Sequence, residues 1–490
     1  MTREQAKSVA IIGAGVAGLA AAKSLVKNGF SCKIYDRQPE LGGVWANGYA
    51  GFGVQVQKDL YEFPEFPLPP EAENFTPGPA FRQYLEEYAD KFEIRECLHL
   101  GMEVSSVERM SPGGWILQID TGEGGVEEQA DFLIIATGLY SETPFLPDVA
   151  GMDAFKGQVL HSSDVKDFDQ LRDRDIVVVG YGKSAADIAA GAVPVARSVR
   201  LVFRTAHWPV PRKLLGLLPF KWGMLTRLTA ALIPPYARPS PAVRLLHSVG
   251  KPLPWLFWRI VEILLRTQQR LGTRIENGKN LLPEHDVLSD AYSERTMVPR
   301  PGLIDLIRNR EILAHRSNVA RFSSDGLVLE DGTALSTDCV IFGTGWDNAY
   351  GFLPDDLKSA LGQEDDGVYL YRHILHPAVP DLAFVGRVSS FMSVTTYALQ
   401  ARWLAEVLSG KVTLPLAEEM KQSIADLKSW KRSWMPDGPA RSGTLLLHMA
   451  HYHDELLGDM GEDPLRKRGI LAPLKELLVP YQASNFRDVV

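Results

Sequence analysis

The chain has 490 residues, 45% hydrophobic and 23% charged, enough for two or three domains and a large core, and unlike the composition of a disordered protein. Its three cysteines, Cys32, Cys97 and Cys339, carry neither a CxxC nor a zinc spacing, which argues against a disulfide framework, a dithiol redox centre and a cysteine-ligated metal. The net charge of −8, with no reader motif, argues against nucleic acid as a partner, and no run of about eighteen residues is uniformly apolar, so no spanning helix is expected.

Residues 2–7 are charged and precede an apolar run, imitating a secretory leader. That run, 9–12, is the strand that must hold Gly13-Ala14-Gly15-Val16-Ala17-Gly18, so a chain that keeps it, and a cytoplasmic location, are expected. A helix follows, then a strand over 32–35 that ends at Asp36. In a strand–turn–helix unit the first glycine permits the tight turn, the second lets backbone approach a pyrophosphate, and the third lets helix and strand pack closely. Gly13, Gly15 and Gly18 fit these duties. A carboxylate about twenty residues further on accepts from a free ribose 2′-hydroxyl, so Asp36 makes this an FAD site. After a Gly/Pro/aromatic region through residue 79, a helix over 81–92 and strands over 98–107 and 115–119 lead to a buried strand that starts at Asp131 and ends in Ala136-Thr137-Gly138. Small residues at its end let the chain pass close to a cofactor, and Thr137 and Gly138 are assigned there.

A second strand, 176–179, opens into Gly180-Tyr181-Gly182-Lys183-Ser184-Ala185, and the strand over 199–203 ends at Arg204. Ala185 takes the third-glycine place, which the fingerprint tolerates. A guanidinium at the ribose position suits a 2′-phosphate, so this site is expected to bind NADPH. Between Lys213 and Arg274 ten basic residues face one acid, Glu262: a local +9 that leaves −17 for the rest of the chain. Aromatic and aliphatic runs alternate with those cations, which suits a membrane-interface helix, a lid over a lipophilic substrate or packing of an enlarged domain. Much later, 339–345 ends in Gly343-Thr344-Gly345, like the earlier strand end at 136–138. These paired strand ends predict an α/β chain of two nested Rossmann-like dinucleotide-binding domains: FAD-binding over 1–165 and 336–490, NADPH-binding over 166–335, with a helical insertion at about 213–300.

Several stretches resemble the flavin-containing monooxygenases, single-component flavoproteins that use FAD, NADPH and O2. Leu41-Gly42-Gly43-Val44-Trp45 is similar to the family's GGxW stretch beside the flavin, which implies Gly43, Val44 and Trp45 as cofactor contacts. Phe155-Lys156-Gly157-Gln158-Val159-Leu160-His161 resembles its FxGxxxH sequence, with His161 as a histidine that joins the two domains. Gly182-Lys183-Ser184-Ala185 resembles its Gly-x-Ser stretch on the NADPH pyrophosphate, Trp208-Pro209-Val210-Pro211-Arg212 the turn after its NADPH-binding arginine, and Gln400-Ala401-Arg402-Trp403 a helix returning to the flavin, which implies Gln400 as a contact. The resemblance covers roughly 8–212 and 300–460. Two positions depart from it. Gln55 stands where many members place an asparagine over the flavin, keeping the amide one methylene further out, and is taken as the catalytic candidate. Val165 stands where ketone-inserting relatives place a tryptophan.

The resemblance implies that NADPH reduces FAD, O2 adds to give a C4a-hydroperoxyflavin, and one oxygen atom passes to a nitrogen or sulfur atom of a lipophilic small molecule. The cofactor then carries the chemistry, and the protein supplies orientation and a water-poor cavity. Three further readings remain: Baeyer–Villiger oxygenation of a ketone, a pyridine-nucleotide reductase, and a membrane-surface binding protein with degenerate nucleotide domains. His448, His451 and His453 have helical spacing but no acidic partner of known pattern, so no metal is expected. Peripheral membrane association through 213–274 stays open as a partner.

Overall fold

The computed structural model describes residues 8–140, 143–236, 239–295, 298–347 and 350–490. Two parallel-rich sheets form its centre. In the first, six strands lie in the order Leu375–His376, Val379–Phe384, Phe132–Ile135, Ser8–Ile12, Ser31–Asp36 and Leu98–Leu100, all pairs parallel except the outermost hairpin, Leu375–His376 with Val379–Phe384. Its central strands, SVAII and FLII, are almost wholly apolar, as strands covered on both faces must be. The Ala/Leu-rich helix Val16–Lys27 is buried between this sheet and the helix Ser393–Leu408. The two ends of the chain therefore share one sheet.

The second sheet has five parallel strands in the order Ile312–Arg316, Ser198–Phe203, Asp175–Val179, Cys339–Phe342 and Gln158–His161. It departs from the expected boundaries at both sides. Gln158–His161 precedes residue 166 and Cys339–Phe342 follows residue 335, yet both pair here. The reason lies in a repeat. Each unit runs strand, glycine turn, helix, strand, then a three-stranded antiparallel meander, then a closing strand. The meanders are Glu103–Arg109, Trp115–Asp120, Gly125–Ala130 in the first unit and Val319–Ser323, Gly326–Leu329, Ala334–Ser336 in the second. The closing strands are Phe132–Ile135 beside Ser8–Ile12, and Cys339–Phe342 beside Asp175–Val179. The similarity between 131–138 and 339–345 thus marks equivalent places in two units, whereas the sequence reading gave both to one domain. In each sheet the glycine turn leaves a strand with neighbours on both sides, where the connections diverge and a crevice opens at the carboxyl ends.

Helices Phe220–Met224, Arg227–Ala231, Pro241–Ser248, Pro252–Gln268 and Val287–Ala291 fill the insertion. It is tied to the C-terminal part: the Arg227 guanidinium pairs with both Asp454 oxygens at 2.7 Å, the Tyr236 hydroxyl donates to Glu455, and Tyr292 meets His448 Nδ1. Helix Pro252–Gln268 is apolar on both sides. Pro254, Trp258, Val261 and Leu265 are buried, while Leu253, Trp255, Leu256, Ile260 and Ile263 are exposed.

Candidate active site

The two glycine turns open into one cavity of about 1710 Å³, well beyond the roughly 300–1,000 Å³ of a site for one drug-sized ligand. At the first turn, Gly13 holds a φ of 110°, and a Cβ there would lie 2.6 Å from the Ala136 carbonyl oxygen. At the second, Gly180 holds a φ of 131°, and a Cβ would lie 2.6 Å from the Gly343 carbonyl oxygen. Gly15 and Gly43 face each other backbone to backbone, a Cβ on Gly43 falling 3.2 Å from Gly15 Cα. Helices Val16–Lys27 and Lys183–Ala192 start at Gly15 and Gly182 without a side-chain cap or an acid in the first turn. Their first amides are therefore free to meet an anion. Backbone this close, with side chains excluded, suits two pyrophosphates.

Most of the expected residues line the cavity: Gln55, Gly13, Gly15, Asp36, Gly43, Val44, Trp45, Thr137, Gly138, Gly180, Gly182, Lys183, Ser184 and Arg204. Asp36 accepts from the amides of Ala14 at 2.7 Å and Gln38 at 2.8 Å. Burial raises its carboxyl above the ordinary range, against the pull of those two amides. Arg204 is exposed at its strand end. Trp45 is both packing and lining, its ring 4.6 Å from Phe81, 5.6 Å from Tyr61 and 5.8 Å from Phe52. Gln55 Oε1 accepts from the Val298 amide at 3.2 Å, which fastens the end of the insertion over this part of the cavity. The Lys183 ammonium pairs with the buried Asp187, which also accepts from the Tyr49 hydroxyl at 2.9 Å.

Three expected contacts lie behind the cavity wall. Gly18 lets its helix touch the turn, since a Cβ would fall 1.9 Å from the Gly13 carbonyl oxygen. Ala185 is buried against Gly180 and Gly343. Gln400 is fully buried, with Oε1 accepting from the Gly386 amide at 3.0 Å and Nε2 donating to the Tyr452 hydroxyl at 2.8 Å. It holds Gly386, which lines the cavity, and does not line it itself. Spacing alone could not separate a wall residue from the one bracing it.

His161 is almost fully buried; its Nδ1 accepts from the Ser163 amide at 3.2 Å, leaving Nε2 to donate to the Gly345 carbonyl at 3.1 Å. It thereby ties the strand end at 161 to the turn at 345, which both follow neighbouring strands of the second sheet, so this contact lies within one unit and does not itself join the two. Burial lowers its basicity. Of the C-terminal histidines, His448 bonds Tyr292 and the Pro234 carbonyl, and His453 bonds Thr396. A cluster the sequence reading missed is His207, His285 and Asp290. Both imidazoles meet the same buried Asp290 oxygen, at 2.9 and 2.5 Å. Those distances describe hydrogen bonds; ligands around a tetrahedral zinc with bonds of about 2.0–2.1 Å stand further apart. The wall residues Tyr61, Tyr140, Glu294, Phe391, Tyr397 and Leu446 were missed too, because they come from distant segments without a motif.

The family described as "Flavin-binding monooxygenase-like" matches residues 6–238 and 256–468. The match thus runs through most of 213–300, which the sequence reading placed outside the resemblance, leaving only 239–255 unmatched between its two parts. The chain is 27% identical over 520 residues to a probable flavin-containing monooxygenase 1 of Arabidopsis thaliana, covering 98% of this chain and 96% of that protein. It is 27% identical over 481 residues to flavin-containing monooxygenase 3 of Rattus norvegicus, covering 94% and 83%. Similar solved structures include S-allyl-L-cysteine S-oxygenase from Allium sativum, with a TM-score of 0.63, 19% identity and 96% and 92% covered. An open structure of cyclohexanone monooxygenase gives 0.69, 17% identity and 94% and 98% covered. A steroid monooxygenase bound to NADP gives 0.68, 19% identity and 93% and 99% covered. The two nucleotide cradles and this match over nearly the whole length place the chain in the flavin-binding monooxygenase-like family, as an FAD- and NADPH-dependent monooxygenase.

Proposed function

We propose that the enzyme oxygenates a nitrogen or sulfur atom of a lipophilic small molecule. The observation that carries this reading is the wall beyond Trp45. Tyr61, Tyr140, Phe391, Tyr397 and Leu446 line it, while Val165, at the position where ketone-inserting relatives carry tryptophan, is packed in the core. Gly13, Gly15, Asp36, Gly43, Val44, Trp45, Thr137 and Gly138 hold FAD, and Gly180, Gly182, Ser184 and Arg204 hold NADPH, with the arginine on the 2′-phosphate. FAD bound there would supply the redox chemistry of NADPH oxidation and O2-dependent oxygenation of the substrate. The protein's share is orientation and exclusion of water. Gln55 presents its side-chain amide at the flavin end, where its Oε1 already receives the Val298 amide and its NH2 group is the donor left for cofactor or substrate. The experiment is turnover of the purified enzyme with NADPH, heavy-isotope dioxygen and three probes: a tertiary alkylamine, an alkyl sulfide and a cyclic ketone. Labelled N-oxide or sulfoxide is expected. Labelled lactone as the sole product would overturn the reading.

The outer face of the insertion fits an anionic membrane surface. Leu217, Leu253, Trp255, Ile260 and Ile263 are exposed there among the basic residues of 213–274, and apolar residues rimmed by cations suit a lipid interface. No described helix is long and apolar enough to cross a membrane. Vesicles of anionic lipid should sediment the enzyme; equal recovery with neutral and anionic vesicles would remove the charge argument.

A further inference from the structure

The carboxylate at the flavin end of the cavity gives the substrate a chemical class. Glu294, contributed by the insertion, lines the cavity among Tyr61, Tyr140 and Tyr397. Both of its oxygens are held: Thr444 Oγ1 donates to Oε1 at 3.2 Å and the Tyr140 hydroxyl to Oε2 at 3.3 Å. Tyr61 packs on Trp45, so this end is the one next to Gly42 and Gly43. Tyrosine faces attract cations, and a desolvated carboxylate attracts them more strongly. We propose, building on the nitrogen-oxygenation reading, that Glu294 anchors a cationic amine substrate and takes its proton.

A protonated amine has no lone pair to offer an electrophilic oxygen. In the step proposed, the N–H bond of the ammonium breaks and an O–H bond forms on Glu294. The electron pair stays on nitrogen, and the ion pair becomes two neutral groups. Neutralisation is favoured where charges are costly to bury. Around Glu294, burial favours the neutral acid, while the hydrogen bonds it accepts and the Lys431 ammonium behind it favour the carboxylate that would hold the cation. Burial raises its carboxyl above the ordinary range, against the hydrogen bonds from Thr444, Ser389 and Tyr140. Behind it, Lys431 on the helix Ala417–Trp434 is fully buried, donates to the carbonyls of Arg441, Ser442 and Thr444, and is pushed down to about 7 by burial. Tyr140, Tyr61 and Tyr397 are all raised far enough to stay neutral. The neighbouring Arg295 is exposed on the cavity rim.

The test uses the FAD-loaded enzyme and probes of matched shape: N,N-dimethyldodecylamine, the neutral dodecyl methyl sulfide, and the dodecyltrimethylammonium ion, which is cationic but has no proton to give. Binding is read from perturbation of the flavin absorbance, and product by mass spectrometry. Glu294→Gln should lower amine affinity relative to sulfide affinity by about tenfold or more, as expected for losing a charge-assisted contact. An equal effect on both probes, or none, overturns the proposal. If the variant loses flavin, the unaltered enzyme still decides: the quaternary ion should compete with the amine, and failure to compete overturns the anchor. Amine that binds through Glu294 yet yields no N-oxide removes the nitrogen-oxygenation reading and leaves the anchor standing. N-oxide formed with equal loss on both probes does the reverse.

Discussion

The two nucleotide units fold the same backbone around one exchanged methyl group and one reversed charge. In the first, the helix carries Gly18 and the closing strand ends in Ala136; in the second, the helix carries Ala185 and the strand ends in Gly343. Ala185 Cβ lies 2.7 Å from where a Cβ on Gly343 would be, so the second unit accommodates one methyl at this helix–strand crossing, whereas in the first a Cβ on Gly18 is barred by the Gly13 carbonyl oxygen 1.9 Å away. Packed interiors admit the volume once and not twice. The ribose positions differ in charge: Asp36 is already anchored by two amides, whereas Arg204 projects from its strand end, exposed. Turn geometry is thus common to both sites, and the charges that differ between them lie on side chains outside it.

The largest effects should come from breaking one turn at a time. Gly13→Ala puts a Cβ 2.6 Å from Ala136 O at a φ of 110°, a conformation that costs an L-residue about 1–2 kcal/mol before any clash. The purified variant should be nearly colourless. Gly180→Ala meets the same distance at Gly343 O, yet should stay yellow and lose rapid bleaching by NADPH in stopped flow. A colourless Gly180→Ala variant would show that the two sites are not separable. Next comes Arg204→Ala, expected to raise the KM for NADPH by roughly ten- to a hundredfold, the worth of a charged hydrogen bond, with little change for NADH. Equal changes for both would take the 2′-phosphate away from Arg204.

A smaller effect tests the methyl exchange. Gly343→Ala should cost about 1–3 kcal/mol by overpacking, seen as a lower Tm, and Ala185→Gly in the same chain should restore most of it. No rescue would mean that the two positions do not share the volume. Acid should act gradually, over several pH units, and on the flavin side. Burial holds His448 and His453 at about 3, against 6.5 when free, so both stay neutral when folded and take up protons when unfolded below 6.5. Their contribution is complete above pH 6.5 and is lost as pH falls from there toward about 3, by up to about 1.4 kcal/mol per unit for each. His453 meets Thr396 on the helix that backs Val16–Lys27, so Tm and flavin retention should fall together. His453→Gln should flatten that slope; an unchanged slope would assign the acid sensitivity elsewhere.

Both glycine turns, Asp36 and Arg204 could be singled out because each belongs to a strand–turn–helix unit whose parts lie within about 25 residues of one another, and the residues at 137–138 because small residues follow an apolar run; all of them line the cavity. Gln400 was expected to touch the flavin, whereas the structure makes it the brace behind Gly386. Glu294 and the tyrosines around it left no signal, since they meet only when 61, 140, 294 and 397 fold together.

The sequence by itself determined the local units: apolar strands, glycine turns that bring backbone close together, and a charge at each second strand's end, because these are set by steric and electrostatic needs of neighbouring residues. Only the tertiary structure decided which sheet received Cys339–Phe342, which residues faced the cavity, and where the insertion laid Glu294. A four-residue apolar strand fits any parallel sheet, and long-range packing alone assigns it a neighbour.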